Sequence, residues 1–373
     1  MSELYDIFRR HPRISTDTRR IEPGSVFFAL HGATFDGNRF AADALSKGAA
    51  YAVVDDPAAV IGDRTVLVGD TLEALQELAR KHRRELAIPI LAISGSNGKT
   101  TTKELVSRVL AERFEVYATH GNLNNHIGVP LTLLAMTRDT EFGVVEMGAS
   151  ACGEIALLAS VAEPNYGILT NIGRAHLEGF GGPEGIRRGK GELLDYLAAN
   201  GGRAFVPRED EVLTNMAAER DPLAAEYYSV ALADGIAHHL EGDYNRFNIA
   251  AAMAVGRYFD IDGERIRHAV GSYMPDNNRS QRTETERNTL IVDCYNANPS
   301  SMRASVLNFL AEPAGGRSRR VLILGDMLEL GAWSEQEHRD IVALAGRNPD
   351  TELMLVGGEF ARACTGMEPQ PAN

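Results

Sequence analysis

Cysteine is scarce in this sequence, which limits the sites and the compartment that can be assigned to it. The 373 residues include three cysteines, Cys152, Cys294 and Cys364, and no two of them are closely spaced. Structural zinc sites use cysteine and histidine ligands in paired spacing, so no pair of these thiols could form one unaided. An odd, sparse set is typical of reduced thiols, and we therefore expect a cytoplasmic protein.

Positive charge is also scarce. The chain has 38 lysines and arginines against 51 aspartates and glutamates, which gives a formal net charge of −13. Nucleic acids and anionic membranes attract basic surfaces, so this balance disfavours a general nucleic-acid binder or a membrane-surface protein. It leaves room for a local basic pocket that holds a phosphorylated ligand.

Long apolar runs are missing as well. No run approaches the roughly 20 residues that a membrane-spanning helix needs, and residues 1–6 lack the basic start and apolar run of a signal peptide. We therefore expect no membrane insertion. The composition, 44% hydrophobic and 24% charged, predicts a globular chain, and at about 100–200 residues per domain its length predicts two or three domains.

Strand-like and helix-like segments alternate along the chain, which predicts an α/β protein with largely parallel sheets. A first block, residues 1–87, has predicted strands at 25–30, 51–54 and 65–68 and predicted helices at 38–47 and 71–85. The basic cluster at 80–84 is interpreted as a solvated helix end, where cations suit the helix dipole.

Two further blocks follow. The second, residues 88–274, has predicted strands at 88–93, 142–147 and 166–171. The third, residues 275–373, has predicted strands at 290–293, 321–324 and 353–356 and helices at 301–310 and 334–346. This second set of alternating elements predicts a doubly wound unit of Rossmann type.

A glycine-containing turn between a strand and a helix gives the strongest local signal. Its glycines allow backbone N–H groups to face an anion, and the following helix N-terminus adds partial positive charge. Lys99 can reach the β- and γ-phosphates, and the Thr100 hydroxyl suits magnesium. The simpler interpretation is a glycine turn with an exposed lysine. The candidate nucleotide-binding residues are Gly95, Ser96, Asn97, Gly98, Lys99, Thr100 and Thr101.

Three charged or titratable side chains lie near predicted strand ends or helices in the second block. Glu146 ends a hydrophobic strand, where it could hold magnesium opposite Thr100 or simply pair with a lysine. His176 follows another strand, and a lone histidine is more often structural than a metal ligand. From composition alone, Lys190 is a surface lysine.

Two asparagines, Asn245 and Asn248, have the i, i+3 spacing that places both side chains on one helix face. Amides offer a donor and an acceptor together, as adenine recognition requires. Helix capping by asparagine is the alternative.

Taken together, these residues resemble the Mur ligase family of ATP-dependent amide-bond-forming enzymes. The family's shortened loop, Gly-x-x-Gly-Lys-Thr-Thr, matches residues 95–101, and its Asn-Ile-Gly-x-Ala-His segment matches residues 171–176. A glutamate at 146, Lys-Gly-Glu at 190–192 and an Asn-x-x-Asn pair at 245–248 complete the match. The resemblance implies three domains: an N-terminal UDP-substrate domain, a central phosphate-loop domain and a C-terminal Rossmann-like domain.

The resemblance also implies roles for these residues. Thr100 and Glu146 would hold one magnesium ion, and His176 would help to hold a second. Lys190 would be carbamylated, and its added carboxylate would position metal. Contacts with ATP are implied for five residues: Asn245 and Asn248, facing the adenine, and Asp293, Tyr295 and Asn296.

Segments in the outer blocks give a finer assignment within the family. Residues 17–30 resemble the uridine-nucleotide-binding opening of some members, which implies substrate contacts for Asp17, Thr18 and Arg19. Asn298 is a further implied substrate contact. An arginine that reaches the transferred phosphate is expected at Arg279, with Arg282 as a nearby competitor.

Residues 293–302 and 324–331 resemble the family members that add D-alanyl-D-alanine. This implies ATP- and Mg²⁺-dependent ligation of D-alanyl-D-alanine to a UDP-N-acetylmuramoyl tripeptide through an acyl phosphate, in peptidoglycan precursor synthesis. We expect a cytoplasmic monomer with no nucleic-acid partner. Two departures from the family pattern stand out: the segment at 228–240 is short, and the chain stops soon after residue 358, so an incomplete third domain is expected.

Other functions remain open at this point. A sister ligase that adds a diamino acid, or a folylpolyglutamate synthetase, would share the central motifs, but residues 293–302 disfavour both. A non-catalytic nucleotide-binding regulator would need the loop, yet it would have no use for Glu146, His176 and Lys190 together.

Overall fold

The first block is built around four parallel strands in the order β1-β2-β5-β6. The computed structural model describes residues 2–275, 281–312 and 319–365. The strands of this block are β1 (Ile14–Ser15), β2 (Val26–Phe28), β3 (His31–Gly32), β4 (Phe35–Asp36), β5 (Tyr51–Val54) and β6 (Thr65–Leu67), and β3 pairs with β4 as an antiparallel hairpin. Its helices are α1 (Ser2–Arg10), α2 (Ala41–Ser46) and α3 (Thr71–Leu86). Val26 to Phe28 are all buried because helices cover both faces of the sheet.

Helix α3 joins the first block to the second. Asp70 caps it by accepting a hydrogen bond from the backbone N–H of Glu73 at 2.7 Å. Leu75 and Leu78 are fully buried in an apolar cluster that also contains residues of the central sheet. The helix therefore packs on both blocks at once.

The predicted solvated end of this helix is wrong in part. Arg83 is 8% exposed, and its guanidinium donates to the carbonyl of Ala162 at 3.1 Å and to Asn165 Oδ1 at 2.8 Å. Arg84 forms an ion pair with Glu163 at 2.5 Å. Arg83 and Arg84 therefore connect the first block to the second through hydrogen bonds and an ion pair. The helix dipole alone does not explain why these cations lie at this end of the helix.

Six parallel strands form the central sheet, in the order β12-β11-β10-β7-β9-β8. They are β7 (Ile90–Ser94), β8 (Val116–Ala118), β9 (Phe142–Glu146), β10 (Tyr166–Leu169), β11 (Arg203–Pro207) and β12 (Ala224–Tyr228). Its helices are α4 (Lys99–Ala111), α5 (Gly128–Leu134), α6 (Glu154–Ala162), α7 (Leu177–Phe180), α8 (Pro183–Ala199), α9 (Glu211–Ala218), α10 (Asn245–Tyr258) and α11 (Gly263–Gly271). Since β7 lies between β9 and β10, the chain reverses its direction across the sheet there, and a ligand crevice is expected at that carboxyl edge.

The third block contains two separate strand pairs in its described part. β13 (Gln281–Glu284) and β14 (Thr289–Val292) form an antiparallel hairpin, whereas β15 (Arg320–Gly325) and β16 (Thr351–Val356) are parallel. The helices are α12 (Pro299–Ala311), α13 (Ser334–Ala345) and α14 (Gly358–Ala363). The predicted strand at 290–293 is present, but it pairs with β13. A tight turn, in which the Thr285 N–H donates to the Asn288 carbonyl, brings the two together.

A shared apolar cluster attaches the third block to the second. Leu177, Phe180 and Ile186 of the second block pack with residues of the third block that include Met327 and Leu330. Burial of this surface fixes the position of the third block beside the central sheet.

All three cysteines lie in the described part of the chain, and each is free. None of the described helices combines the length and hydropathy that a bilayer-spanning segment needs.

Candidate active site

A cleft of about 980 Å³ lies at the carboxyl edge of the central sheet, where the third block meets it. The loops after β7, β9 and β10 line one side, and the segment before α12 lines the other. Gly95, Thr100 and Lys190 are not among its lining residues. The cleft brings together many of the residues that the sequence singled out: Ser96, Asn97, Gly98, Lys99, Thr101, Glu146, His176, Asn245, Asn248, Asp293, Tyr295, Asn296 and Asn298.

The loop after β7 is held in shape by the end of β10. The N–H of Asn97 donates to Asn171 Oδ1 at 3.1 Å, and the hydroxyl of Thr170 donates to the carbonyl of Asn97 at 2.6 Å. Gly95 has a φ of +133°, and a Cβ there would lie 2.1 Å from Thr170 Oγ1. Only glycine fits this position.

Helix α4 begins directly after this loop. Gly98, at φ +80°, precedes its first residue, Lys99. Lys99 Nζ lies 2.9 Å from the carbonyl oxygen of Gly95 and 3.0 Å from that of Ser96. The ammonium therefore lies over the loop, beside a helix N-terminus that attracts anions. Thr100, the second residue of the helix, is half-buried.

Glu146 ends β9 with its carboxylate buried, at 1% exposure. One oxygen, Oε1, accepts a hydrogen bond from Asn124 Nδ2 at 2.8 Å. The other, Oε2, is buried and has no hydrogen-bond partner among the described residues. An unpaired buried carboxylate oxygen is costly unless a cation satisfies it. The donor set therefore fits Mg²⁺, which prefers oxygen ligands.

His176 is held by the third block. Its backbone is left-handed, with φ +56°, and its Nδ1 contacts a carboxylate oxygen of Glu329. In the tautomer that donates from Nδ1 to this carboxylate, the lone pair of Nε2 is free for a metal ion or a ligand. The Glu329 carbonyl also accepts the N–H of Glu178 at 3.1 Å.

Lys190 is not a surface lysine. It is 1% exposed, and its Nζ donates to the carbonyl of Ala149 at 2.9 Å. Burial, followed by the positive charge of Lys99, lowers its pKa from 10.5 to about 7. A neutral, nucleophilic amine is therefore well populated near neutral pH.

The two asparagines of α10 bind each other and helix α4, which follows the glycine-containing loop at residues 95–98 (the phosphate loop). Asn248 Oδ1 accepts from the hydroxyl of Thr102 at 3.0 Å, and its Nδ2 donates to Asn245 Oδ1 at 2.8 Å. Asn245 Nδ2 donates to the carbonyl of Glu241 at 2.6 Å. Neither side chain caps a helix end, so the capping alternative is wrong. Both residues line the cleft, and their contact with adenine stays a prediction.

Asn298 connects the third block to the phosphate loop. Its Nδ2 donates to Asn97 Oδ1 at 2.7 Å, and its Oδ1 also caps α12 by accepting the N–H of Ser301 at 3.0 Å.

Asp293 accepts a hydrogen bond from the hydroxyl of Ser305. Tyr295 is 53% exposed. Asn296 Oδ1 accepts the N–H of Ala297 at 2.9 Å.

The remaining predicted site residues lie elsewhere. Asp17, Thr18 and Arg19 follow β1 and do not line this cleft. Arg19 donates to Asp17 and lowers the pKa of that carboxyl to about 2. Arg279 lies outside the described residues. Arg282 pairs with Glu312 at 2.8 Å, which reduces its availability for a phosphate.

Two residues in contact with the predicted site residues were not identified from the sequence. Asn124 orients Glu146, and Glu329 holds His176. Glu329 lies within residues 324–331, a segment that the sequence analysis singled out without giving Glu329 a role. The asparagines that cluster before α5 were the only sequence feature that could have pointed to a role for Asn124.

Three family models match the chain. The Mur ligase middle domain matches residues 93–237, the Mur ligase glutamate ligase domain matches residues 278–368, and the Mur ligase family catalytic domain matches residues 12–83.

Individual relatives agree with these matches. The chain is 36% identical over 352 residues to the UDP-N-acetylmuramoyl-tripeptide--D-alanyl-D-alanine ligase of Bacillus subtilis (strain 168), covering 89% of this chain and 77% of the relative. For the Escherichia coli (strain K12) ligase of the same name, the identity is 33% over 370 residues, covering 92% and 81%.

Solved structures agree as well. MurF from Acinetobacter baumannii superposes with a TM-score of 0.84 at 30% identity, covering 95% of this chain and 82% of that one. The MurF ligase from Thermotoga maritima in complex with ADP gives 0.83 at 26% identity, covering 95% and 86%. With matches in all three blocks and a cleft built from the shared motifs, this chain belongs to the Mur ligase family.

Proposed function

We propose that this chain joins D-alanyl-D-alanine to a UDP-N-acetylmuramoyl tripeptide, with conversion of ATP to ADP and phosphate, in the cytoplasmic synthesis of peptidoglycan precursors. The observation that carries the proposal is the contact between Asn298 and Asn97. It brings the segment that resembles the D-alanyl-D-alanine-adding members directly onto the phosphate loop. The names of the relatives support the same activity.

The chemistry proceeds in two steps. A carboxylate oxygen of the tripeptide attacks the γ-phosphorus of ATP, the bond from that phosphorus to the β,γ-bridging oxygen breaks, and ADP leaves. The amine of D-alanyl-D-alanine then attacks the carbonyl carbon of the acyl phosphate. Inorganic phosphate leaves, the amide forms, and the amine releases a proton. Phosphorylation is needed because a free carboxylate is a poor electrophile.

Protein groups position the reactants and neutralise charge. Lys99 and the N-terminus of α4 stabilise the negative charge of the transferred phosphoryl group. Thr100, Glu146 and His176 would hold Mg²⁺. Bound there, magnesium would supply charge neutralisation at the phosphate oxygens. Closure of the cleft by the third block would exclude water from the acyl phosphate.

Lys190 is proposed to carry a carbamate. Its neutral amine attacks CO₂, a C–N bond forms, and one proton is released. The buried position and the low pKa of Lys190 support this step. Incubation with ¹³C-bicarbonate should give a protein-bound carbamate carbon signal in NMR spectra, and Lys190→Met should remove it. The same signal in both proteins would exclude this site.

Other assignments remain part of the proposal. Asp17, Thr18 and Arg19 would contact the uridine nucleotide, Asn245 and Asn248 would face the adenine, and Arg279 would reach the transferred phosphate. The three domains would be residues 1–87, 88–274 and 275–373.

Phosphate release tests the proposed activity. The protein is supplied with ATP, Mg²⁺ and one of three matched pairs: tripeptide precursor with D-alanyl-D-alanine, dipeptide precursor with a diamino acid, or a folate with glutamate. Release with the first pair alone is expected. Release with another pair would assign a sister activity, and nucleotide binding without release would indicate a regulator.

Two substitutions test the roles of the loop and the carboxylate. Lys99→Ala and Glu146→Ala should each abolish turnover and leave the fold intact by circular dichroism. Lys81→Ala, on the distant α3, is the matched control and should retain activity. Near-normal rates in either cleft variant would exclude the role given to that residue.

A further inference from the structure

A second cavity, of about 1070 Å³, lies between the first block and the central sheet. Three of its lining residues mark the amino ends of strands: Ser25 precedes β2, Ile88 precedes β7, and Thr140 precedes β9. The phosphate loop, Glu146 and His176 lie at the carboxyl ends of the central strands. The two openings therefore lie at opposite ends of the central sheet, and the cavity is separate from the proposed reaction.

The charges of this cavity differ from those of the whole molecule. Four arginines and two glutamates line it, whereas the chain has a net charge of −13. Arg13 pairs with Glu22 at 2.8 Å. In the part of the chain that the structure describes, the guanidinium groups of Arg9, Arg20 and Arg138 form no ion pair or hydrogen bond. A local surplus of unpaired cations favours an anionic ligand.

The rest of the lining is mainly apolar and aromatic. Phe8 packs edge-to-face on the His82 ring, with centroids 4.9 Å apart, and burial lowers the pKa of His82, which favours its neutral form. Leu131 of α5 and Met136, just after that helix, extend this surface. Such walls suit the hydrophobic body of a small molecule.

An unsatisfied donor lies beside the cavity. Ser25 is 1% exposed, and its hydroxyl has no hydrogen-bond partner among the described residues. Buried hydroxyls are normally hydrogen-bonded. A ligand oxygen would supply the partner that the surrounding protein does not.

We propose that this cavity binds a small organic anion: a carboxylate, sulfonate or phosphate attached to an aromatic or aliphatic body. The anionic group would lie among Arg9, Arg20 and Arg138, with the body against Phe8 and Met136. A ligand there contacts α1 of the first block and α5 of the second, so binding ties the two blocks together. The site is distinct from the cleft at the carboxyl edge of the central sheet.

The probe for this site is 1-anilinonaphthalene-8-sulfonate, which combines an aromatic body with one anionic group. Its fluorescence is titrated with the intact protein in the presence of saturating ADP, which occupies the other cleft. Saturable binding at one site is expected. Octanoate should displace the probe, and inorganic phosphate, which lacks an apolar body, should not.

Three variants locate the probe. Arg138→Ser and Arg9→Ser should each weaken binding about fivefold, as expected for loss of one ion pair at a partly exposed site. Ala135→Trp, at an exposed lining position, should block the cavity. Arg347→Ser is the matched control on the third block, and all four proteins should keep their ligase rate. Unchanged probe affinity in all three cavity variants would overturn the proposal, and so would displacement of the probe by the UDP-linked substrate.

Discussion

Asn124 controls which oxygen of Glu146 is available to a cation. It satisfies Oε1 from a loop that leads into α5, and Oε2 is left without a partner in the described part of the chain. The backbone carbonyl of Asn124 also accepts the N–H of Gly148 at 2.8 Å, which fixes the loop to the end of β9. Groups that orient a metal ligand in this way strongly affect metal affinity.

Removal of this amide should weaken magnesium binding more than nucleotide binding. In Asn124→Ala, the carboxylate of Glu146 can rotate, so the Kd for Mg²⁺ should rise about tenfold. The measurement is a Mg²⁺ titration of the protein–ADP complex by calorimetry. Asn122→Ala, an exposed neighbour, serves as the control. Equal Mg²⁺ affinity in both variants would show that Asn124 has no orienting role.

Lys190 should make the unfolding free energy depend on pH. Its pKa is about 7 in the folded protein, against an ordinary value of 10.5. Between these values, the unfolded chain binds more protons than the folded one, so stability rises with pH across this window and is lost as the pH falls towards 7.

The variant Lys190→Met should lack this rise. Urea unfolding in CO₂-free buffer, where Lys190 stays a free amine, gives the unfolding free energy of both proteins at pH 7 and pH 9. The difference, wild type minus Lys190→Met, should be larger at pH 9. Other titrating groups cancel in the comparison, and Lys81→Met should behave as wild type. A difference that is independent of pH would mean that Lys190 titrates normally.

At the level of elements, the N-terminus of α12 has two functions. Asn298 caps the helix through its carbonyl oxygen and contacts the phosphate loop through its amide nitrogen. An aspartate keeps the capping oxygen and loses the donor, so the two functions can be separated.

Asn298→Asp should retain thermal stability and lose nucleotide affinity. The new carboxylate would face Asn97 and repel the phosphates, and we expect ATP binding to weaken about tenfold, by loss of one hydrogen bond and addition of a like charge. Isothermal calorimetry with ATP, without the acceptor substrates, and thermal unfolding measure the two effects. Asn308→Asp, within the same helix, is the control. A large loss of stability with unchanged affinity would reverse this assignment.

Local patterns in the sequence predicted many elements and few contacts between them. The central strands were predictable because parallel strands covered on both faces are continuous apolar runs, as at 142–146. The Asn97–Asn298 contact joins residues 201 positions apart, which no local pattern encodes. Burial of Lys190 and Arg83 was missed because a charged residue is normally exposed.

For the whole molecule, the boundary between the second and third blocks combines a buried cluster with ion pairs. Arg174 contacts Glu337 at 2.5 Å, and burial raises the pKa of Glu337. Trp333, the single tryptophan of the chain, lies over Gly182, where an added Cβ would come within 3.1 Å of its ring. Its fluorescence should therefore report this boundary.

Arg174→Met should loosen the boundary by leaving Glu337 without its partner. Because the arginine is 47% exposed, the expected cost is about 1 kcal/mol. The red shift of Trp333 emission should occur at a lower urea concentration than in wild type and in the control Arg347→Met. Coincident transitions in all three proteins would show that the ion pair contributes nothing.

Helix α3 also fixes the orientation of the first block relative to the second. One of its faces belongs to the first sheet and another, through Leu78 and Arg83, to the central domain. Insertion of a single residue in its middle would turn one end by roughly 100° relative to the other. The helix could then no longer pack against both blocks at the same time. Changes in the length of this helix should therefore be far less tolerated than changes of its exposed side chains, and the first block cannot swing freely while the helix stays intact.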